Sequence, residues 1–352
     1  MMLRRLATFV AISVVVAVCG GDDGESSADT STTSPPTTTA PPTTQTPTTT
    51  TEAPTKTTTQ IPTTTVPLTA LEELGYPISD EYVVETVVSG LDSGTGGLAI
   101  DADGYFYQAD FGYPDHVGNT VYRISPDGSQ VETLVQSDLM NSLTMTVFGP
   151  DGTMYQSSYN SDRVFTISTD GTAEVTAEGL RGPTGIVVAD DGTLFVEAYD
   201  SNTLYKILLD GTVEEVVFDR RFNGINGMTQ GPDGTLYLVD FKDGSIFSVA
   251  ADGTVDQIHK FPEESSHVVY HDGGQFVTSR GGYVVFRYDL ATGDAEIIAG
   301  SGEPGDQDGR GGESAFGRPN AITIGPDGNL YINHGDGTDS LSRSRESVIS
   351  RS

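Results

Sequence analysis

Gly182-Pro183-Thr184-Gly185-Ile186-Val187-Val188, running into Asp191-Gly192-Thr193-Leu194 and then Val196, reads as two short strands around a tight turn. Asp-Gly is a strong hairpin signal, because both central positions of a type I′ turn require positive φ. The same signature recurs as Asp103-Gly104-Tyr105-Phe106, Asp151-Gly152-Thr153-Met154, Asp233-Gly234-Thr235-Leu236, Asp272-Gly273-Gly274-Gln275 and Asp327-Gly328-Asn329-Leu330, at intervals of about 40 to 55 residues. A second strand signature follows the first five copies: Val121-Tyr122-Arg123-Ile124, Val164-Phe165-Thr166-Ile167, Leu204-Tyr205-Lys206-Ile207, Ile246-Phe247-Ser248-Val249 and Val285-Phe286-Arg287-Tyr288. Each runs into another turn and an alternating strand such as the one over 212–218. Four antiparallel strands per unit at this period predict an all-β fold, a six-bladed β-propeller of four-stranded blades over residues 68–340.

The ends decide how such a ring closes. An isolated strand over 81–88 precedes the first repeat, and its natural place is the outermost strand of blade six, where it removes an exposed edge. The third strand of that blade lacks its signature over 339–352, where Leu341 or Val348-Ile349 are the weak substitutes. Residues 341–352 therefore read as an irregular tail or an incomplete last blade.

Outside the repeats, the N-terminus is basic at Arg4-Arg5 and then apolar from Leu6 to Val18. A run that short cannot span about 30 Å of hydrocarbon as a helix, so residues 1–19 read as an export signal. Val16-Ala17-Val18-Cys19 resembles a bacterial lipobox, which implies lipidation at Cys19. Residues 20–67 are almost entirely Thr, Pro, Ser and Ala, too poor in apolar surface to fold, and read as a disordered stalk. The expected location is extracytoplasmic, as a cell-surface lipoprotein or a secreted protein, touching a membrane only through Cys19.

The 352 residues carry 18 Lys plus Arg against 50 Asp plus Glu, a net charge of −32. Such a chain repels phosphate backbones, which excludes nucleic acid and anionic membrane surfaces as partners. Cys19 is the single cysteine, so no intramolecular disulfide and no cysteine-rich zinc site can form.

In a propeller the first strand of each blade lines the channel and the second runs back, so the start of one and the end of the other share a face. Seven residues before each turn aspartate stand Gly96, Thr144, Thr184, Asn226 and Asn320, with Ser266 in the shorter fifth repeat. Seven or eight residues after it stand Asp110-Phe111, Ser158-Tyr159, Ala198-Tyr199, Asp240-Phe241, Ser279-Arg280 and His334-Gly335. The expected ligand face therefore holds Phe111, Tyr159, Tyr199, Phe241, Asn226, Asn320, Thr184, Arg280 and His334. Aromatic platforms flanked by amides suit a small molecule, a glycan or an envelope protein.

Arg318-Pro319-Asn320-Ala321-Ile322-Thr323-Ile324-Gly325-Pro326-Asp327-Gly328-Asn329-Leu330-Tyr331-Ile332, with Ala299 to Gly305 ahead of it, resembles an NHL repeat. Gly182 to Val188 and Ile225-Asn226-Gly227-Met228 are similar also to regucalcin/gluconolactonase-like propellers. The resemblance covers roughly residues 80–338. It implies the propeller fold and, by position, calcium at Asn226 and Asn320 with Asp240 or Asp110 as general base. The ring itself carries no carboxylate, whereas calcium prefers six to eight oxygens, some of them charged. Two functions follow: a surface-tethered binding module or, alternatively, a calcium-assisted lactonase or esterase. A sensor or assembly scaffold engaging an envelope protein shares the first reading.

Overall fold

A computed structural model describes residues 9–17, 69–93, 95–112 and 117–335. Cys19, the stalk over 20–67 and the tail over 341–352 lie outside the described residues.

The repeats fold into five antiparallel sheets of four strands each, and the strands of each sheet are consecutive in the chain. The first holds Leu98–Ile100, Phe106–Ala109, Thr120–Ile124 and Val131–Gln136. The second holds Leu143–Phe148, Met154–Ser158, Arg163–Ile167 and Ala173–Glu178. The third is Pro183–Val188, Leu194–Ala198, Thr203–Ile207 and Val213–Phe218. The fourth is Ile225–Gln230, Leu236–Asp240, Ser245–Val249 and Val255–Lys260, and the fifth Ser265–His271, Gly274–Ser279, Val284–Asp289 and Ala295–Ala299.

Apolar side chains alternate inward and meet between neighbouring sheets. Leu204 of the third blade packs with Phe222, Met228, Leu238 and Phe247 in and around the fourth. Leu98, Phe106 and Ile124 of the first blade pack with Leu91 and Ala321 of the closing sheet. The architecture is thus an all-β propeller of four-stranded antiparallel blades.

The turns differ from the type I′ expectation at most positions. At Ala189–Gly192 the Gly192 N–H bonds the Ala189 carbonyl at 2.9 Å, Gly192 has φ +84°, and Asp191 is not left-handed. This is a type I turn followed by a left-handed glycine, and the Asp191 side chain accepts the Thr193 N–H at 3.0 Å. Only the fifth blade puts both residues at positive φ, Asp272 at +44° and Gly273 at +77°, with His271 paired directly to Gly274. A two-residue loop is one residue shorter, which accounts for the shift of Ser266 against the other repeats.

The structure has five four-stranded blades where six were expected. The sixth repeat instead joins a five-stranded sheet, ordered Gly309–Arg310, Tyr82–Asp92, Phe9–Ala17, Leu330–His334, Pro319–Ile324. Tyr82–Asp92 stands fourth from the channel, as expected of a closing strand, but Gly309–Arg310 adds a short strand outside it. The third place belongs to Phe9–Ala17, which pairs Val15 with Leu330 on one side and with Val84 on the other. The physical reason is compositional: a β-branched apolar run is equally fit to be an export segment or a strand. Among the described residues no helix is long and apolar enough to cross a membrane.

Candidate functional site

The polar side chains of the expected ring, from Thr144 to Asn320, bond across the blade junctions. Thr144 Oγ1 donates to the Pro183 carbonyl at 3.0 Å and Thr184 Oγ1 to that of Ile225 at 2.9 Å. Asn226 Nδ2 donates to the Ser266 carbonyl at 3.0 Å, and Ser266 Oγ to Asn320 Oδ1 at 2.5 Å. Asn320 Nδ2 then reaches the carbonyls of Thr95 and Gly96 at 3.0 and 3.1 Å. A Cβ at Gly96 would stand 2.5 Å from the Leu143 carbonyl oxygen, so the glycine makes room where the next blade closes in. Thr184 is consequently 1 % exposed and committed to the seam.

Most residues seven after each turn are also committed, to loops of their own blade. Asp240 Oδ2 accepts the Asn223 N–H, Ser158 Oγ accepts that of Asn141 at 2.8 Å, and His334 Nδ1 accepts that of Gly317 at 3.2 Å. These amides all lie three residues before the ring position. Asp240 Oδ1 also takes the Lys242 N–H at 3.1 Å, and Asp110 Oδ1 takes that of Gly112 at 2.8 Å. Asp240, Asp110 and His334 are buried. His334 therefore does not present its ring on the ligand face as expected, because the strand end closes over its loop. Burial holds its pKa down at about 3. Burial also pushes the Asp240 carboxyl up, opposed by the Asn223 N–H.

Phe111, Tyr159, Tyr199 and Phe241 are all half-buried. Phe111 and Tyr159 have centroids 6.5 Å apart, and Tyr159 meets Tyr199 edge-on at 5.7 Å. These three rings form one run. Tyr159 sits over Gly182 and Tyr199 over Gly224, where a Cβ would stand 2.7 and 2.8 Å from the ring carbons. Each ring is thus seated on a glycine of the following blade. Tyr159 Oη donates to Asp200 at 3.0 Å, and burial together with that carboxylate pushes its pKa up to about 12. Lys242 Nζ lies 4.9 Å from the Tyr199 ring centre. Arg280 stands beside the ring, its Nη1 donating to Asn320 Oδ1 at 3.4 Å.

The ring as built does not fit a calcium ion. Asn320 Oδ1 already accepts from Ser266 and Arg280. Among the described residues no three His, Cys, Asp or Glu side chains gather as a metal site.

Sequence reasoning missed Glu197. Its carboxyl is fully buried in the wall between the third and fourth blades, and a Cβ on Gly185 would collide with its Oε2. Burial raises its pKa well above the ordinary carboxylate range. The available signal was positional: the matching strand residues are Ala109, Ser157, Val239, Thr278 and Asn333, and only this one is ionisable.

No family model matches the chain, and no curated protein is similar to it. Solved structures are similar in fold. An auxiliary nutrient binding protein from Bacteroides thetaiotaomicron aligns with TM-score 0.59 at 13% identity, covering 74% of this chain and 70% of that one. A gluconolactonase from Xanthomonas campestris aligns with TM-score 0.52 at 15% identity, covering 69% and 87%. A catalytically inactive virginiamycin B lyase variant from Staphylococcus aureus, solved with quinupristin, aligns with TM-score 0.52 at 17% identity, covering 74% and 94%. At these identities the likeness supports the propeller fold alone.

Proposed function

We propose that the protein is an extracytoplasmic binding module whose channel face takes a small organic molecule or glycan. One observation carries this reading: three half-buried rings, Phe111, Tyr159 and Tyr199, form a continuous run, and the two tyrosines are seated on glycines of the next blade. Rings held rigidly lose little entropy when a sugar or other flat apolar face stacks on them. Asn226 borders the ring, and its Oδ1 accepts no hydrogen bond from the described residues, leaving a polar group to orient a ligand. The nutrient-binding neighbours are consistent with this task, although their likeness is one of fold.

The calcium-assisted lactonase is the second reading, prompted by the gluconolactonase fold. It is disfavoured because Asn320 and Asp240 are already spent on structural bonds.

The test is a small-molecule and glycan binding screen with the full chain, alongside turnover of lactones and esters with and without calcium. Binding lost in Tyr159→Ala and Tyr199→Ala, with no turnover by the wild type, supports the module. Calcium-dependent turnover abolished by Asn226→Ala would replace it with the enzyme.

A further inference from the structure

The junction between the fifth blade and the closing sheet departs from those after the second and third blades. Two residues before the ring position, the backbone is left-handed at Ser142 (φ +56°), Gly182 (+66°), Gly224 (+106°) and Arg318 (+54°). Glycine accepts that conformation without strain, whereas a residue with a side chain does so only when surrounding structure holds it there. The partner position differs as well. Where Tyr159 covers Gly182 and Tyr199 covers Gly224, the corresponding pair is Arg280 and Arg318. A ring on a glycine has become two guanidinium groups.

Neither arginine forms an ion pair with an acidic side chain among the described residues. This occurs in a chain with 50 acidic residues against 18 basic ones. Among the described residues, Arg280 hydrogen-bonds the neutral Asn320 Oδ1. The charged groups that act on Arg280 are Arg318, which repels it, and the exposed Glu264, beyond ion-pair distance. Half-buried like charges without an acid between them are unfavourable until an anion arrives, and a guanidinium fork matches a planar or tetrahedral oxyanion.

We propose that Arg280 and Arg318 form an oxyanion subsite on the channel face, which takes the carboxylate or phosphate group of the ligand while the aromatic platform takes its body. The inference rests on the binding reading above and narrows it to acidic ligands. Burial first, and the Arg318 charge second, lower the Arg280 pKa to about 10, so the group stays cationic at neutral pH.

The test uses the full chain with glucuronate, glucose, glucose 6-phosphate and inorganic phosphate, at ionic strength matched with sodium chloride. Melting temperature and titration calorimetry are the readouts. Glucuronate, glucose 6-phosphate or both should bind at least about tenfold more tightly than glucose, and that advantage should vanish in Arg318→Gly. Arg318→Gly should melt no lower than wild type, because glycine suits the left-handed backbone. Arg280→Met is the second variant and should lose the same advantage. A carboxylate preference with no phosphate binding assigns the subsite to organic acids, and the reverse assigns it to phosphorylated ligands. Glucose binding that depends on Tyr159, with no preference for either acid, overturns the subsite and leaves the binding module standing. Binding of the acids unchanged in both arginine variants also overturns the subsite, and binding of none of the four probes overturns the acidic-ligand assignment.

Discussion

The hydroxyl of Thr184 donates to the backbone carbonyl of Ile225 in the next blade at 2.9 Å. The polar residues from Thr144 to Asn320 therefore first form an inter-blade seam, which leaves them only partly available to a ligand. Thr184→Val keeps the shape and leaves the Ile225 carbonyl buried without its donor, which should cost about 1–2 kcal/mol. Denaturant unfolding should show the loss. Ligand affinity should stay within about twofold of wild type, since the hydroxyl is turned into the seam.

The aromatic platform makes an opposite pair of expectations. Tyr159→Ala should weaken ligand binding with a modest stability loss, because the ring is half-buried. Gly182→Ala should destabilise by about 1–3 kcal/mol, since its φ of +66° strains alanine and the new Cβ would meet the Tyr159 ring. Thermal melts of the two variants, read beside calorimetric titrations, separate platform from scaffold.

Asp240 is expected to behave as a loop clamp. Asp240→Ala strands the N–H groups of Asn223 and Lys242 and should cost about 2–4 kcal/mol. Asp240→Asn retains an acceptor and should recover part of that. Urea unfolding of the two variants checks the order; equal stability of Asp240→Ala and wild type would remove the clamp.

Three buried groups give pH dependences, the two histidines opposite in sign to the glutamate. His334 has its pKa lowered to about 3 in the fold, so its contribution is present above the unfolded value near 6.5 and is lost as pH falls below it, by up to about 1.4 kcal/mol per unit. His267, held near 4 chiefly by burial, acts in the same direction. The Glu197 pKa is raised, so its stabilisation is present below the unfolded value near 4.3 and is lost as pH rises above it. Glu197→Gln should therefore be more stable than wild type at pH 7, with the gap narrowing towards pH 4. His334→Gln should flatten the loss between pH 6.5 and 5. Chemical denaturation across pH 4–8 measures both slopes.

Much of the architecture was legible in the chain. The Asp-Gly turns and the period-two alternation predicted antiparallel four-stranded units, and counting seven back from each turn found the ring from Thr144 to Asn320. Local backbone preference writes such features directly into sequence. The turn type was less legible, because Asp191-Gly192 and Asp272-Gly273 look alike while only the second has both residues left-handed. The sixth repeat was counted as a four-stranded blade of its own, whereas it joins a five-stranded sheet.

The sequence by itself determined the repeating hairpins, the acidic surface charge and the columns of residues that each blade brings to one face. The tertiary structure alone decided what those residues do. The Thr184 acceptor lies 41 positions away in the next blade, and Arg280 and Arg318 stand on opposite sides of the junction between the fifth blade and the closing sheet. A hydrogen-bond partner or an unneutralised charge is fixed when the ring closes and water is expelled from the seams, and no local propensity carries that information.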